Sequence, residues 1–184
     1  NIKAIGNSAF SDFKHLTSVK INDISNSNLL EIRRNAFTNC TSLIEFKLPK
    51  SVQYFGERCF MNCFKYKAEI NICKKNIIYV YESAFENSGI ISFDSKSNYI
   101  IIKENAFLNC ENLTNISVNA KFKCKIGCSA FMNCKSLKTA EIAVNTPIIS
   151  IGKYCFMNSS LESFKVPIYL SMITESCFKN CTHL

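Results

Sequence analysis

A phenylalanine preceded by a small residue recurs eight times along this chain, at Phe10, Phe37, Phe60, Phe85, Phe107, Phe131, Phe156 and Phe178. The gaps between them are 27, 23, 25, 22, 24, 25 and 22 residues, a period of roughly 24 that is typical of repeat architectures. The residue before each Phe is Ala or Cys: Ala9, Ala36, Cys59, Ala84, Ala106, Ala130, Cys155 and Cys177. Five positions before each Phe stands an apolar side chain, at Ile5, Ile32, Phe55, Val80, Ile102, Ile126, Ile151 and Ile173. Two positions after come Asp12 and then Asn39, Asn62, Asn87, Asn109, Asn133, Asn158 and Asn180. Chance does not place Asn at seven of eight equivalent sites. A fixed period of this length specifies a solenoid, in which each repeat touches only its neighbours.

Composition agrees with an ordered chain. Hydrophobic residues make up 47% and charged residues 20% of the 184 positions, with five Gly and three Pro, so neither disorder nor a flexible linker is expected. One domain over residues 1–184 follows, of about eight repeats with the first and last incomplete. Because the sequence opens and closes inside a repeat, it reads as a fragment of a longer chain. The longest purely apolar or aromatic run, Ile77–Tyr81, falls far short of the roughly 20 residues that cross a bilayer.

One unit, Ile102 to Val118, shows how a coil is built. Its first part, Ile102 to Cys110, has apolar residues at offsets of four and five, which suits one or two helical turns. Its last part, Leu113/Ile116/Val118, ends in alternation and suits a short strand with one buried side. The same signature stands at Leu16/Val19/Ile21, Leu43/Phe46/Leu48, Leu137/Ala140/Ile142 and Leu161/Phe164/Val166. Two copies are irregular. The third reads Tyr66 then Ile70/Ile72, with one residue inserted, and the fourth reads Ile90/Phe93, one residue shorter. Strands stacked about 4.8 Å apart make a solenoid roughly 34 Å long. The Asn column suits bonding between the turn and the next coil, and Asp12, which lacks an amide donor, suits an end position.

The pattern Ile-Gly-x-x-Ala/Cys-Phe-x-Asn-Cys-x-x-Leu-x-x-Ile-x-Leu-Pro resembles the BspA-like (Treponema pallidum-type) leucine-rich repeats. It is legible at Ile5-Gly6…Ala9-Phe10, Phe55-Gly56…Cys59-Phe60-Met61-Asn62-Cys63, Ile126-Gly127…Ala130-Phe131-Met132-Asn133-Cys134 and Ile151-Gly152…Cys155-Phe156, with Leu48-Pro49 and Val166-Pro167 closing strands. The resemblance covers essentially the whole chain. It implies an α/β fold: a right-handed leucine-rich-repeat solenoid with a parallel β-sheet on one face and short helical or 3-10 turns on the other. Members occur in bacteria and parasitic protists, often as surface antigens or adhesins that bind host or neighbouring-cell proteins. The Val80-Tyr81 and Ile102-Lys103 repeats lack the Gly, and a different turn is expected there.

Open solenoids bind through side chains that point outward between the buried strand positions. These are Ser18, Lys20, Glu45, Lys47, Glu69, Asn71, Ser92, Asp94, Asn115, Ser117, Thr139, Glu141, Ser163 and Lys165, expected to form one continuous surface about 30 Å long. Three are positive and four negative, so the net charge of +8 is not concentrated there and a nucleic-acid footprint is not expected. The positive excess sits at Arg33-Arg34, Lys65/Lys67, Lys74-Lys75 and Lys121/Lys123/Lys125, read as solvated loops.

Eight of the eleven cysteines fall in two repeat columns: Cys59, Cys155 and Cys177 before Phe, and Cys40, Cys63, Cys110, Cys134 and Cys181 three residues after it. Free Cys packs as a small apolar side chain, and parallel stacking is poor geometry for disulfides. Cys73, Cys124 and Cys128 lie off the columns. Zinc needs four ligands at short paired spacing, and with only His15 and His183 available neither a metal, a cofactor, a small-molecule substrate nor a catalytic thiol is expected. Of five sequons, those at Asn39, Asn158 and Asn180 use the structural column, leaving Asn112 and Asn115 as acceptors. A non-catalytic protein-recognition solenoid at a cell surface is the leading expectation, and an intracellular scaffold using the same face is the alternative, favoured by reduced column thiols.

Overall fold

The computed structural model describes residues 2–73, 76–143 and 145–184. Eleven strands follow one another: β1 (Ala4–Ile5), β2 (Ser18–Val19), β3 (Glu31–Ile32), β4 (Glu45–Phe46), β5 (Tyr54–Phe55), β6 (Glu69–Cys73), β7 (Ile77–Val80), β8 (Ser92–Ile102), β9 (Asn115–Ile126), β10 (Thr139–Ile142) and β11 (Ile148–Ile151). All pairings between them are parallel. The architecture is a parallel-strand solenoid, as the repeat spacing requires.

Each coil carries two strand columns, one more than the sequence signature shows. The unexpected column holds the apolar site five residues before Phe. Ile5, Ile32, Phe55, Val80, Ile102, Ile126 and Ile151 stand in register across it, and seven rungs make six full turns. The expected column holds Val19 and Phe46 in one sheet, and Ile70, Phe93, Ile116 and Ala140 in another. In β8 and β9 the two columns fuse into strands of 11 and 12 residues. Elsewhere Pro49, Pro147 and Pro167 fall between the columns, and a residue without an N–H cannot extend a ladder.

The helical turns expected opposite the sheet are absent from the described residues, so the fold is β-solenoid and not α/β. The reason is local. Two non-glycine residues per repeat adopt positive φ, two positions before Phe (Ser8, Asn35, Arg58, Ser83, Asn105, Ser129, Tyr154, Ser176) and two after (Asp12 and the Asn column), at 52° to 63°. A left-handed residue every fourth position stops a right-handed helix from propagating. Alternate N–H groups then leave the coil: those of Asn35, Phe37 and Asn39 donate to the carbonyls of Glu57, Cys59 and Met61 in the next coil at 2.8–2.9 Å. Those between them, of Ala36, Thr38 and Cys40, close three-residue turns onto Arg33, Asn35 and Phe37 at 3.1 Å.

The same φ pattern holds at Ser83 and Asn105, so the repeats lacking Gly keep the common turn. No glycine has positive φ. At Gly152 the requirement is space: a Cβ there would lie 2.3 Å from the Cys128 backbone nitrogen and 2.4 Å from the Gly127 carbonyl carbon of the preceding coil.

Inside, the eight Phe rings form one ladder. Successive centroids are 5.0–5.5 Å apart, with ring planes within 11°. Every ring from Phe37 to Phe156 is fully buried. Beside it runs a ladder of amides. Asn39 donates through Nδ2 to Asp12 Oδ1, and each later column Asn donates to the one before it, in seven bonds of 2.7–2.9 Å. Asp12 is the acceptor at the first rung, as its lack of an amide donor suggested. Its carboxyl is held below the usual range by the Asn39 amide and then by Ser11.

The last coil is less covered. Val166 and Ile173, expected to be buried, are 52% and 54% exposed.

Candidate functional site

The outward positions of the expected column do lie in rows. Glu69, Ser92, Asn115, Thr139 and Ser163 are in register across adjacent coils, and Asn71, Asp94, Ser117 and Glu141 form a second row beside them. Ser18 pairs with Glu45 in the separate sheet. Lys20, Lys47 and Lys165 follow these strand segments and are exposed. Ser92 and Ser117 are half-buried, and the other twelve residues of the face are exposed. Among the described residues, none of its charged members takes part in an ion pair.

The face is not continuous. β2 and β4 form a two-stranded sheet of their own, and β6 begins the other. The third-repeat insertion lies at this break. Tyr66 occupies the buried site filled by Leu in most coils, and its hydroxyl donates to the Phe46 carbonyl at 2.7 Å. A tyrosine side chain thus takes a carbonyl that a neighbouring strand would otherwise bond. Between β4 and β6 opens a cleft of about 920 Å³ with Tyr66, Leu48, Ile44 and Ile91 among its apolar walls and Lys47, Lys50, Lys67, Glu45 and Glu69 among its charged ones.

Sequence reading missed the outer face of the first column. Tyr54, Tyr79, Ile101 and Lys125 form a registered row there, with Tyr99 opposite Lys123. Tyr54 and Tyr79 pack on Tyr81 at 4.9 and 5.5 Å between centroids, Tyr99 on Phe122 at 5.8 Å, and Lys121 Nζ sits 4.9 Å from the Phe122 ring centre. Lys121, Lys123 and Lys125 therefore stand on β9 and not on a loop. The alternation Lys123-Cys124-Lys125-Ile126, with Cys124 and Ile126 buried, was the available signal. Arg33 pairs with Glu31 and Arg34 with Glu57, Lys65 and Lys67 are exposed, and Lys74-Lys75 lie outside the described residues.

The column cysteines are buried except Cys181, which is half-buried. Those after Phe also do hydrogen-bond work: Cys40, Cys63, Cys110, Cys134 and Cys181 each donate through Sγ to a Phe carbonyl of the preceding coil at 2.9–3.2 Å. Burial pushes the Cys40 and Cys177 thiols up to about 11 and those of Cys110 and Cys124 to about 12. Such thiols carry almost no thiolate at neutral pH and make poor nucleophiles. Off the columns, Cys124 is buried, Cys128 half-buried and Cys73 exposed. Among the described residues, no group of three or more His, Cys, Asp or Glu is placed to hold a metal. Alkylation after unfolding without reductant, followed by mass spectrometry, is expected to count at least eight free thiols; four or more disulfides would contradict the packing described.

The column sequons are committed to the ladder, since Asn39, Asn158 and Asn180 donate through Nδ2, the atom a glycan would occupy. Asn112 and Asn115 are exposed. No helix of the described residues is long and apolar enough to cross a membrane.

One solved structure shares this fold. A leucine-rich repeat protein from Bacteroides ovatus superposes with a TM-score of 0.68 at 20% identity, over all of this chain and 58% of that one. A leucine rich cell surface protein from Faecalibacterium prausnitzii gives a TM-score of 0.47 at 20% identity, over all of this chain and 63% of that one. The chain thus spans about six-tenths of the length of these structures. No curated protein matches the sequence. The model of the BspA type leucine rich repeat region matches in six copies, over residues 1–114, 30–145 and 101–184. With repeats matched from end to end and the coil geometry to carry them, the chain belongs to the BspA-type leucine-rich-repeat family.

Proposed function

We propose that this chain is a non-catalytic recognition module that grips a partner protein through the outward rows of its second strand column. The observation that carries the reading is the registered, largely exposed double row from Glu69 and Asn71 to Ser163 and Glu141, whose charges, among the described residues, are not spent on ion pairs. Lys20, Lys47 and Lys165 set against Glu45, Glu69, Asp94 and Glu141 nearly cancel. A partner seated there is recognised by shape and mixed polar contacts more than by long-range attraction. Membership of the BspA-type family supports placing the module at a cell surface, as an antigen or adhesin that meets proteins of a host or neighbouring cell. The alternative, an intracellular scaffold using the same face, is favoured by one observation, the eleven cysteines free of disulfides.

The test is adhesion of the labelled protein to intact cells. Replacing Lys47, Glu69, Asp94 and Glu141 together by alanine is expected to abolish adhesion and to leave stability within about 2 kcal/mol, since exposed substitutions cost within roughly 0.5 kcal/mol each. Doubling the salt is expected to weaken wild-type adhesion only slightly. The site is misplaced if this variant still adheres while neutralising Lys121, Lys123 and Lys125 removes adhesion. Surface labelling of the cells that make the protein separates the adhesin from the scaffold.

A further inference from the structure

We propose that the cleft between β4 and β6 is a slot for an extended peptide of a partner protein, inserted as the strand missing from the second column. The inference deepens the recognition reading and rests on it, naming the form in which part of the partner is held.

The first support is spacing. Bonded strands lie about 4.8 Å apart, so one inserted strand needs about 10 Å between its neighbours. No Cα of β4 lies within 8 Å of a Cα of β6. The opening is confined to this column. On the other sides of the same two coils, β3 pairs with β5, and the Phe37 and Phe60 rings stack at 5.1 Å. The coils are therefore splayed like a wedge, closed at the turns and open at the second column.

The second support is the backbone. Along this column the carbonyls of Thr17, Ala68, Ile91, Thr114 and Lys138 each accept an N–H from the next coil, at 2.8–3.2 Å. At the equivalent Ile44, among the described residues, the next coil offers none. Ala68 N–H, the donor in line for it, is turned back onto the Tyr66 carbonyl at 3.1 Å. Tyr66 holds the opening in place through its buried ring and its bond to Phe46. With the Phe46 carbonyl and the Ala68 N–H both engaged by Tyr66, the open group is the Ile44 carbonyl, and a ligand that takes it up alongside β4 must offer an N–H from an extended backbone, which a polypeptide does.

The third support is the lining. Ile44 is 56% exposed and Leu48 half-buried, leaving an apolar wall beside Tyr66 and Ile91, with Lys47, Lys50 and Lys67 against Glu45 and Glu69 at the rim. Alternate side chains of a strand face opposite ways. The slot therefore takes a segment of alternating apolar and polar residues, with apolar side chains inward and polar ones of mixed sign at the rim.

The experiment uses a fluorescent, end-blocked peptide, Thr-Val-Glu-Val-Lys-Val-Thr, titrated against the whole chain by anisotropy. Two analogues carry N-methyl groups on the valines or on the intervening residues, and each blocks the donors of one strand edge. Saturable binding of the parent is expected, and both analogues should bind at least about fivefold more weakly, because each loses two or three hydrogen bonds. Ala68→Trp, which fills the slot, should remove binding, as should deletion of Lys67, which restores the regular spacing and lets β6 join β4. The Asp94→Ala/Glu141→Ala variant, altered away from the slot, should bind the peptide normally while losing cell adhesion. Four results overturn the slot: no binding of the parent, loss with only one analogue (addition to a single edge), unchanged binding by Ala68→Trp, or self-association of the free protein that Ala68→Trp abolishes, which makes the occupant a second copy. If the peptide behaves as expected but the Asp94/Glu141 variant still adheres, the slot stands and the double-row reading fails.

Discussion

Replacing Phe131 by alanine is expected to destabilise the protein by about 3–5 kcal/mol, the range for truncating a buried Phe. The ring is fully buried and stacks on Phe107 and Phe156 at 5.0 and 5.5 Å. Its loss leaves a cavity inside a column of rings whose spacing is set by the backbone bonds around it, so neighbouring coils cannot collapse to fill it. The stacking contacts add roughly 0.5–1.5 kcal/mol each beyond burial, which places the cost toward the upper end. Ser117→Ala, on the outward row, is expected to shift stability by no more than about 0.5 kcal/mol. Denaturant unfolding of the two variants measures both, and equal shifts would show that the inward and outward faces have been wrongly assigned.

The second large effect is expected at Asn109, in the middle of the amide ladder. Alanine there removes the bond to Asn87 at 2.9 Å and the one received from Asn133 at 2.8 Å. It also puts a Cβ-bearing residue without a local polar partner at a φ of 58°. Two hydrogen bonds at about 0.5–1.5 kcal/mol each and a left-handed residue at about 1–2 kcal/mol sum to roughly 2–5 kcal/mol. Asn109→Gly removes the bonds but accepts the backbone conformation, so it should cost about 1 kcal/mol less than alanine. Equal losses for the two would mean that the column is chosen for its side-chain bonds alone.

These two sites show which parts of the fold were legible in the sequence. Phe131 belongs to a column, and a column of identical residues at a fixed period can come only from stacking, so ladder, core and second-column register followed from spacing. The turn did not. Apolar residues at offsets of four and five fit a helical turn as well as they fit a loop broken by left-handed residues. The Asn column two places after Phe was read as bonding groups and not as backbone conformations, and the residues two places before Phe, which include Arg58 and Tyr154 beside Ser and Asn, carry no common side-chain signature. The first strand column escaped because β1, β3 and β5 are two residues long and β7 (Ile-Ile-Tyr-Val) and β11 (Ile-Ile-Ser-Ile) show no charged–apolar alternation; Lys121–Ile126 displays it. At the candidate site, the outward residues were readable from the period of two, but their continuity was not. An inserted residue in the third repeat can bulge outward or part the strands, and the outcome depends on the wedge that Tyr66 makes in three dimensions.

That parting has a consequence for how the chain comes apart. A solenoid behaves as a row of units, each coupled to the next by the interface between them, and cooperativity is only as strong as the weakest coupling. Between most coils the coupling has three strands of support: the turn bonds with their ring stack, the first-column ladder and the second-column ladder. Between the second and third coils the last is missing. The first two coils are therefore the unit most ready to open as a block while the rest stays folded. A partner segment that bridged the gap would restore the missing coupling, so that binding at one place on the surface would firm up the end of the rod.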